Sequence, residues 1–301
     1  MEPNLTRGIA GALYAATGGI TCPYEFCIAC GENARENGVE FLFNCKVDRI
    51  VKKDQGYLIS AGEREFRARA VFNAAGVYSD EINNMVSEHK LKIQPRKGEY
   101  LLLDNTAGAF FHSTLFNLPT KEGKGVLISP TVDGNLFFGP NSEAVLDRED
   151  TATTRAGMDD ILEKTFATWN EYPKRRFITQ FAGQRAHLEG EDFVVGEALD
   201  APGFFNAVGV ESPGLTSAPA IAEELSGEIA KYCGARRKEK FQPIRKAISR
   251  FRTMTDEERR CAIQKNPMYG NIICRCEKVT EAEVAVSYTH LIRPSRPFPS
   301  P

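Results

Sequence analysis

The stretch Phe204-Phe205-Asn206-Ala207-Val208-Gly209-Val210-Glu211-Ser212-Pro213-Gly214-Leu215-Thr216-Ser217-Ala218-Pro219, continued as a helix to Tyr232, decides the fold. Phe204 to Val208 mix large and small apolar residues as a buried strand does, and Gly209 and Gly214 open a backbone path that a β-carbon would block. Ser217 and Pro219 predict the helix start, the spacing Ile221, Leu225, Ile229, Tyr232 carries the helix on, and Gly234 ends it. A strand that delivers a glycine-rich turn onto a helix N-terminus aims free N–H groups and the positive end of the helix dipole at one spot. Something electron-rich belongs there, unless the segment is an ordinary strand-to-helix connection of an α/β domain.

Around that stretch lie 301 residues, 42% of them hydrophobic, with a net charge of −2. This is enough apolar material for one large domain or two moderate ones. The near-neutral balance argues against a nucleic-acid binder, and no run approaches the roughly eighteen consecutive apolar residues of a membrane span. No signal peptide is visible. The eight cysteines are scattered through a chain too large to need staples, so they read as reduced thiols of a cytoplasmic protein.

Towards the N-terminus, Thr21, Pro23 and the apolar positions Phe26, Cys27, Cys30 and Ala34 predict an amphipathic helix ending near Gly38, followed by strands at Val39 to Phe43 and Lys46 to Val51. Cys27 and Cys30 fall on the apolar face, which favours core packing over a metal or redox pair. Tyr57 to Ser60 and Glu65 to Arg69 predict a hairpin. Ala70-Val71-Phe72-Asn73-Ala74-Ala75-Gly76 reads as a buried strand whose small-residue end lets a ligand or a second backbone come close. The alternative is a buried edge against a helix.

Between residues 95 and 200 the pattern changes to a two-residue alternation. Glu99 to Leu103, Val126 to Ser129, Leu136 to Gly139, Phe177 to Phe181 and Phe193 to Glu197 predict a mostly antiparallel second domain. One helix, about Thr153 to Tyr172, packs through Met158, Ile161, Leu162 and Phe166. Arg96 precedes Gly98, and Arg185 follows Phe181-Ala182-Gly183-Gln184. An arginine at a strand end beside glycine offers a bidentate fork to a carboxylate or phosphate, although many arginines are solvated surface charges. The setting favours the functional role for Arg185.

Six patches now appear in a familiar order: Glu2-Pro3-Asn4; Phe72 to Gly76; Arg96-Lys97-Gly98-Glu99-Tyr100; Ser129-Pro130 with Asp133 to Leu136 and Gly139-Pro140; Phe181 to Arg185; and Gly209 to Thr216. Together they resemble FAD-dependent oxidoreductases of the D-amino-acid-oxidase superfamily, in the branch of the anaerobic glycerol-3-phosphate dehydrogenases and L-2-hydroxyglutarate oxidases. The resemblance covers residues 1 to about 285. It implies an α/β fold (α+β overall), with a three-layer FAD-binding domain formed by about 21–88 and 201–234 and an antiparallel substrate domain at about 89–200. It also implies a flavin held by Val47, Ala74, Ala75, Gly76, Gly209, Ser212, Pro213, Gly214, Leu215 and Thr216. A small anionic substrate is implied over the ring, with Arg185 as its clamp and Arg96 and Tyr100 beside it. In such enzymes a helix N-terminus faces the ring edge that becomes anionic on reduction.

The family's opening strand, Gly-x-Gly-x-x-Gly turn and helix, which grip the FAD pyrophosphate, have no counterpart in this sequence. The chain therefore reads as truncated, and FAD binding by this polypeptide that is weak or absent is the expectation. Residues 235–266 read as a basic linker. Residues 267–286 resemble the start of a bacterioferritin-associated-ferredoxin-like module, in which Cys274 and Cys276 supply two of four thiolates to a [2Fe–2S] cluster. The family's second cysteine pair does not follow, and residues 287–301 read as a disordered or spurious tail. The implied enzyme takes a hydride from a carbon bearing a hydroxyl, or an amine, and passes electrons to an acceptor protein or quinone-linked subunit, in the cytoplasm or peripherally at the inner membrane face. The rival readings are a non-catalytic electron-transfer or binding subunit, and a zinc module at Cys274 and Cys276.

Overall fold

The structure, a computed structural model, describes residues 2–118, 125–190, 192–245 and 249–285. Two compact units emerge, Met1–Cys22 with Cys45–Arg236, and Pro23–Asn44 with Arg237–Pro301. Helix α1 (Pro23–Glu36) of the second unit starts on its proline and ends before Gly38, where φ is +89°. Its buried residue is Glu32, paired with Arg245 at 2.6 Å, and Cys27 and Cys30 are exposed. Core packing of those cysteines is thus corrected: a distant arginine, not an apolar face, selects the inward side of α1. Residues 39–43 are not a strand either, since they join no ladder and Val39, Phe41, Leu42 and Phe43 stay exposed.

The first unit begins with an antiparallel meander of β1 (Arg49–Lys53), β2 (Gly56–Ala61) and β3 (Arg64–Ala68), the last two being the predicted hairpin. Next comes β4 (Val71–Asn73), shorter than the strand read at Ala70–Gly76, with Phe72 45% exposed and Ala74 and Ala75 outside the ladder. At Asn73, where pairing stops, the side chain is held on two sides: its Nδ2 donates to Ser79 O at 2.7 Å and Asn206 Oδ1 at 2.9 Å. Asn206 Nδ2 in turn donates to Asn83 Oδ1 at 2.9 Å on helix α2 (Ser79–Asn84). Three buried amides thus lock this corner.

The largest sheet holds β5 (Ile93–Leu103), β6 (Leu115–Phe116), β7 (Leu127–Pro130), β8 (Leu136–Gly139), β9 (Glu143–Ala144) and β10 (Phe177–Leu188). It runs β10-β5-β8-β7-β6, with β9 also on β5, and every pair is antiparallel; the strand expected at Phe193 to Glu197 is not part of it. Helix α3 (Arg155–Thr168) is capped by Thr154, whose Oγ1 accepts from Gly157 N at 3.0 Å. It lays Met158 and Ile161 on a core of Leu103, Phe111, Phe138 and Trp169. Phe166 is not in that core: it is 55% exposed, and Thr165 takes the inward position of that turn.

Strand β11 (Val194–Glu197) pairs antiparallel with β12 (Phe204–Val208), which runs parallel to β4. Helix α4 (Gly214–Tyr232) follows, three residues before the predicted start, because Ser217 N already donates to Pro213 O at 3.1 Å and leaves Pro219 inside the helix. In the second unit, α5 (Asp256–Lys265) opens on a capping box of Thr255 and Glu258, and β13 (Ile272–Cys274) pairs with β14 (Val279–Thr280). Residues 281–285 are helical behind Thr280, with Glu283 Oε2 accepting from Thr280 N at 2.7 Å. The tail read at 287–301 lies outside the described residues. Among the described residues no helix is long and apolar enough to cross a membrane.

Candidate functional site

The pairing of β5 with β10 sets Arg96 opposite Arg185, Gly98 opposite Gly183 and Tyr100 opposite Phe181. Side chains alternate along a strand, so Arg96, Gly98 and Tyr100 share one face of β5, and Lys97 and Glu99 share the other. On the first face the Arg185 guanidinium lies across Gly98, where a β-carbon would stand 2.3 Å from Nη2. Nη2 donates to Asn141 O at 2.8 Å and Nη1 to Ser142 Oγ at 3.4 Å. Tyr100 stacks on Phe181 with ring centroids 4.9 Å apart. Burial pushes its phenol up, and the Arg185 guanidinium pulls the other way. Among the described residues the Arg96 side chain has no partner.

Across from these residues runs the turn after β12. Gly209, at φ +73°, would carry a β-carbon 2.7 Å from Leu188 Cβ, and Gly214 would carry one 2.8 Å from Val210 Cγ1. Only glycine lets the turn lie this close. Leu215 and Thr216 stand in the first turn of α4, where backbone N–H groups have no acceptor within the helix. A cavity of about 1320 Å³ lies between, lined by Arg96, Tyr100, Arg185 and Ser212 to Thr216. That exceeds what a small phosphate or hydroxy acid needs, and leaves room for a flat ring system against the helix start. The donor set, free N–H groups on one wall and two guanidinium groups on the other, fits an electron-accepting ring with an anion beside it.

Thus Arg185, Arg96, Tyr100, Ser212, Pro213, Gly214, Leu215 and Thr216 come together at one cavity, with Gly209 shaping the turn that closes it. Val47, Ala74 and Ala75 line a second cavity of about 670 Å³, and Gly76, at φ +57°, turns the chain away beyond them. Cys274 and Cys276 lie in the second unit, both free. Among the described residues no group of three or more His, Cys, Asp or Glu side chains could hold a metal ion. Sequence reasoning missed Asn141, Ser142, Lys164 and Glu211, which line the main cavity too. Glu211 was within the quoted turn, and its Oε1 lies 2.8 Å from His187 Nδ1 on β10. Asn141 directly follows the quoted Gly139-Pro140, the one signal that pointed at it.

A family model described as FAD dependent oxidoreductase (DAO) matches residues 1–227. A glycerol 3-phosphate dehydrogenase of Caloramator mitchellensis is 46% identical over 293 residues, covering 96% of this chain and 60% of that protein. A glycerol 3-phosphate oxidase of Mycoplasma genitalium is 34% identical, covering 62% of this chain and 50% of that protein. Among solved structures, the dithionite-reduced L-alpha-glycerophosphate oxidase from Mycoplasma pneumoniae with FAD bound superimposes with a TM-score of 0.64 at 26% identity, over 74% of this chain and 59% of that one. The chain therefore spans 50–60% of the length of these relatives.

Proposed function

The chain belongs to the FAD dependent oxidoreductase family, and from that premise we propose that it serves the FAD-dependent oxidation of a small anionic hydroxy compound, glycerol 3-phosphate in the first place. The observation that carries this reading is the opposed pair Arg96 and Arg185 on one wall of a cavity whose other wall is the start of α4. FAD, when bound, supplies the hydride acceptor. With it in place the overall change would be carbinol to ketone, the hydride going to the flavin and the hydroxyl proton to solvent. Arg185 takes the phosphate as a fork, so the anion fixes orientation as well as position. Tyr100 walls the same site, half-buried and stacked on Phe181. Leu215 and Thr216, in the first turn of α4, offer N–H groups and a helix dipole to the ring edge where charge develops.

The electron acceptor we propose is a separate protein or quinone-linked subunit, with Cys274 and Cys276 as two thiolates of a [2Fe–2S] centre on the route. Eight free cysteines fit a reducing cytoplasmic compartment or the inner face of its membrane. An assay of the FAD-loaded protein with a dye acceptor tests the reading. Turnover with glycerol 3-phosphate but not with glycerol supports it, and turnover with L-2-hydroxyglutarate alone moves the assignment to that acid. Turnover with neither acid nor phosphate points to an electron-transfer or binding subunit.

A further inference from the structure

On the face of β5 turned away from the main cavity, Glu99 is fully buried and has no cation among its bonded partners. Its main-chain N–H donates to Asn141 Oδ1 at 2.7 Å, and its Oε2 accepts from Asn141 Nδ2 at 2.7 Å. One residue therefore grips both ends of one amide, and the backbone contact fixes which end is oxygen. The other carboxylate oxygen accepts from Thr154 N, at the cap of α3. Thr154 Oγ1 adds a longer contact to Oε2 at 3.4 Å. Gly157 leaves the space for this, since a β-carbon there would lie 1.4 Å from Oε2. Every one of these neighbours can donate, so the side chain is held as an acceptor on both oxygens, at the favourable end of a helix dipole. The adjacent Lys97 makes its direct contact with Asp150 at 2.9 Å and acts on Glu99 only through space.

Asn141, 8% exposed, is the residue whose carbonyl receives Arg185 Nη2. We propose that Glu99 is a positioning residue for the anion clamp, acting through Asn141: the carboxylate fixes the amide, the amide fixes its own peptide, and that peptide's oxygen aims the Arg185 guanidinium into the cavity. The assignment of a substrate anion to Arg185 rests on the function proposed above. The relay from Glu99 to Arg185 does not.

The polarity of the Glu99–Asn141 contact supplies the test. Glu99→Gln keeps the shape but forces a donor against a donor, at Asn141 in one amide orientation or at Thr154 in the other. Adding Asn141→Asp restores a donor–acceptor pair, because the glutamine amide then donates to the new carboxylate. The readout is the rate at which phenylglyoxal labels Arg185 in the ligand-free 301-residue chain, located by mass spectrometry of the peptides. The relay predicts labelling about tenfold faster in Glu99→Gln, the factor a lost charged hydrogen bond is worth, and a return towards the wild-type rate in Glu99→Gln/Asn141→Asp. A rate unchanged in both Glu99→Gln and Asn141→Ala, or a faster rate in Glu99→Gln that the second substitution does not restore, overturns the proposal. If Glu99→Gln does not fold, Asn141→Ala takes its place, and unchanged labelling there overturns the proposal equally. A merely structural role predicts faster labelling at arginines across the unit, Arg148 and Arg176 included, and that outcome also counts against the relay. Glycerol 3-phosphate is added in a separate arm. Relay behaviour without protection of Arg185 by that compound leaves the positioning role standing and removes the substrate reading.

Discussion

Arg185 stands directly opposite Arg96 on the β5–β10 ladder, and the nearest bonded partners of its guanidinium are a carbonyl and a hydroxyl, not a carboxylate. Like charges at opposed positions of an antiparallel pair disfavour the fold, and an anion shared between them turns that cost into binding. Arg96→Gln should therefore stabilise the ligand-free chain slightly, by about 0.2–1 kcal/mol, while weakening phosphate binding. Urea titrations with and without glycerol 3-phosphate read both effects. A loss of stability in the ligand-free chain would mean that Arg96 has a structural partner instead.

Replacing Arg185 by lysine keeps the charge and loses the fork. The cost should be roughly 1.5–3 kcal/mol, or about ten- to a hundred-fold in kcat/KM, with alanine worse. Flavin absorbance should change little, since the turn at Ser212 to Thr216 is untouched. Steady-state kinetics on both variants check this, and an unchanged kcat/KM removes Arg185 from the site.

Gly98→Ala reaches the same guanidinium from below. Its β-carbon would meet Arg185 Nη2 at 2.3 Å and Pro140 Cβ at 2.9 Å, so the arginine has to move. We expect a stability loss of about 1–3 kcal/mol from overpacking, and a substrate KM raised at least as far as in Arg185→Lys. A normal KM would show that the guanidinium's resting place is unimportant for binding.

Asp80 ties the stability of this corner to pH. Burial alone would raise its carboxyl, but the Arg148 guanidinium at 2.6 Å and the Ile93 N–H at 2.8 Å hold it below its usual range. A carboxyl depressed by folding contributes stability above its unfolded pKa, about 3.9, and that contribution is lost as pH falls through the lower folded value. Arg148→Ala should remove about 3 kcal/mol at neutral pH, and the difference from wild type should shrink below about pH 4. A difference that stays constant down to acid pH would separate the pair from the acid sensitivity.

The single tryptophan, Trp169, is 3% exposed and packs against Phe111 and Phe138 with ring centroids 5.0 and 6.1 Å away. Phe138→Ala should cost about 3–5 kcal/mol and red-shift the tryptophan emission, both readable in one denaturation series. An unshifted emission would show that the cavity has collapsed around the indole.

The strand, turn and helix at residues 204–232 were legible because glycines and apolar spacing act locally. The start of α4 was not, since Ser217 Oγ donates back to Pro213 O at 3.1 Å rather than capping a later helix. Phe166 and the cysteines of α1 were misread because which side of a helix turns inward depends on distant partners, Trp169's core in one case and Arg245 in the other. Arg96 and Arg185 could be named as candidates from the residues around them, and Tyr100 through the family resemblance. Their meeting, and the part played by Asn141 and Glu99, depends on a β5–β10 register that no local pattern encodes.

The central claim is that the cavity between Arg185 and the start of α4 holds a small phosphate beside a flavin. Anaerobic titration of the FAD-loaded protein with glycerol 3-phosphate, followed through the visible flavin absorbance, tests it most directly. The account predicts bleaching of the oxidised flavin at one equivalent of substrate in the wild type, and bleaching that needs far more substrate in Arg185→Ala. Flavin that stays oxidised in the presence of excess glycerol 3-phosphate, or that bleaches equally in both proteins, would contradict it.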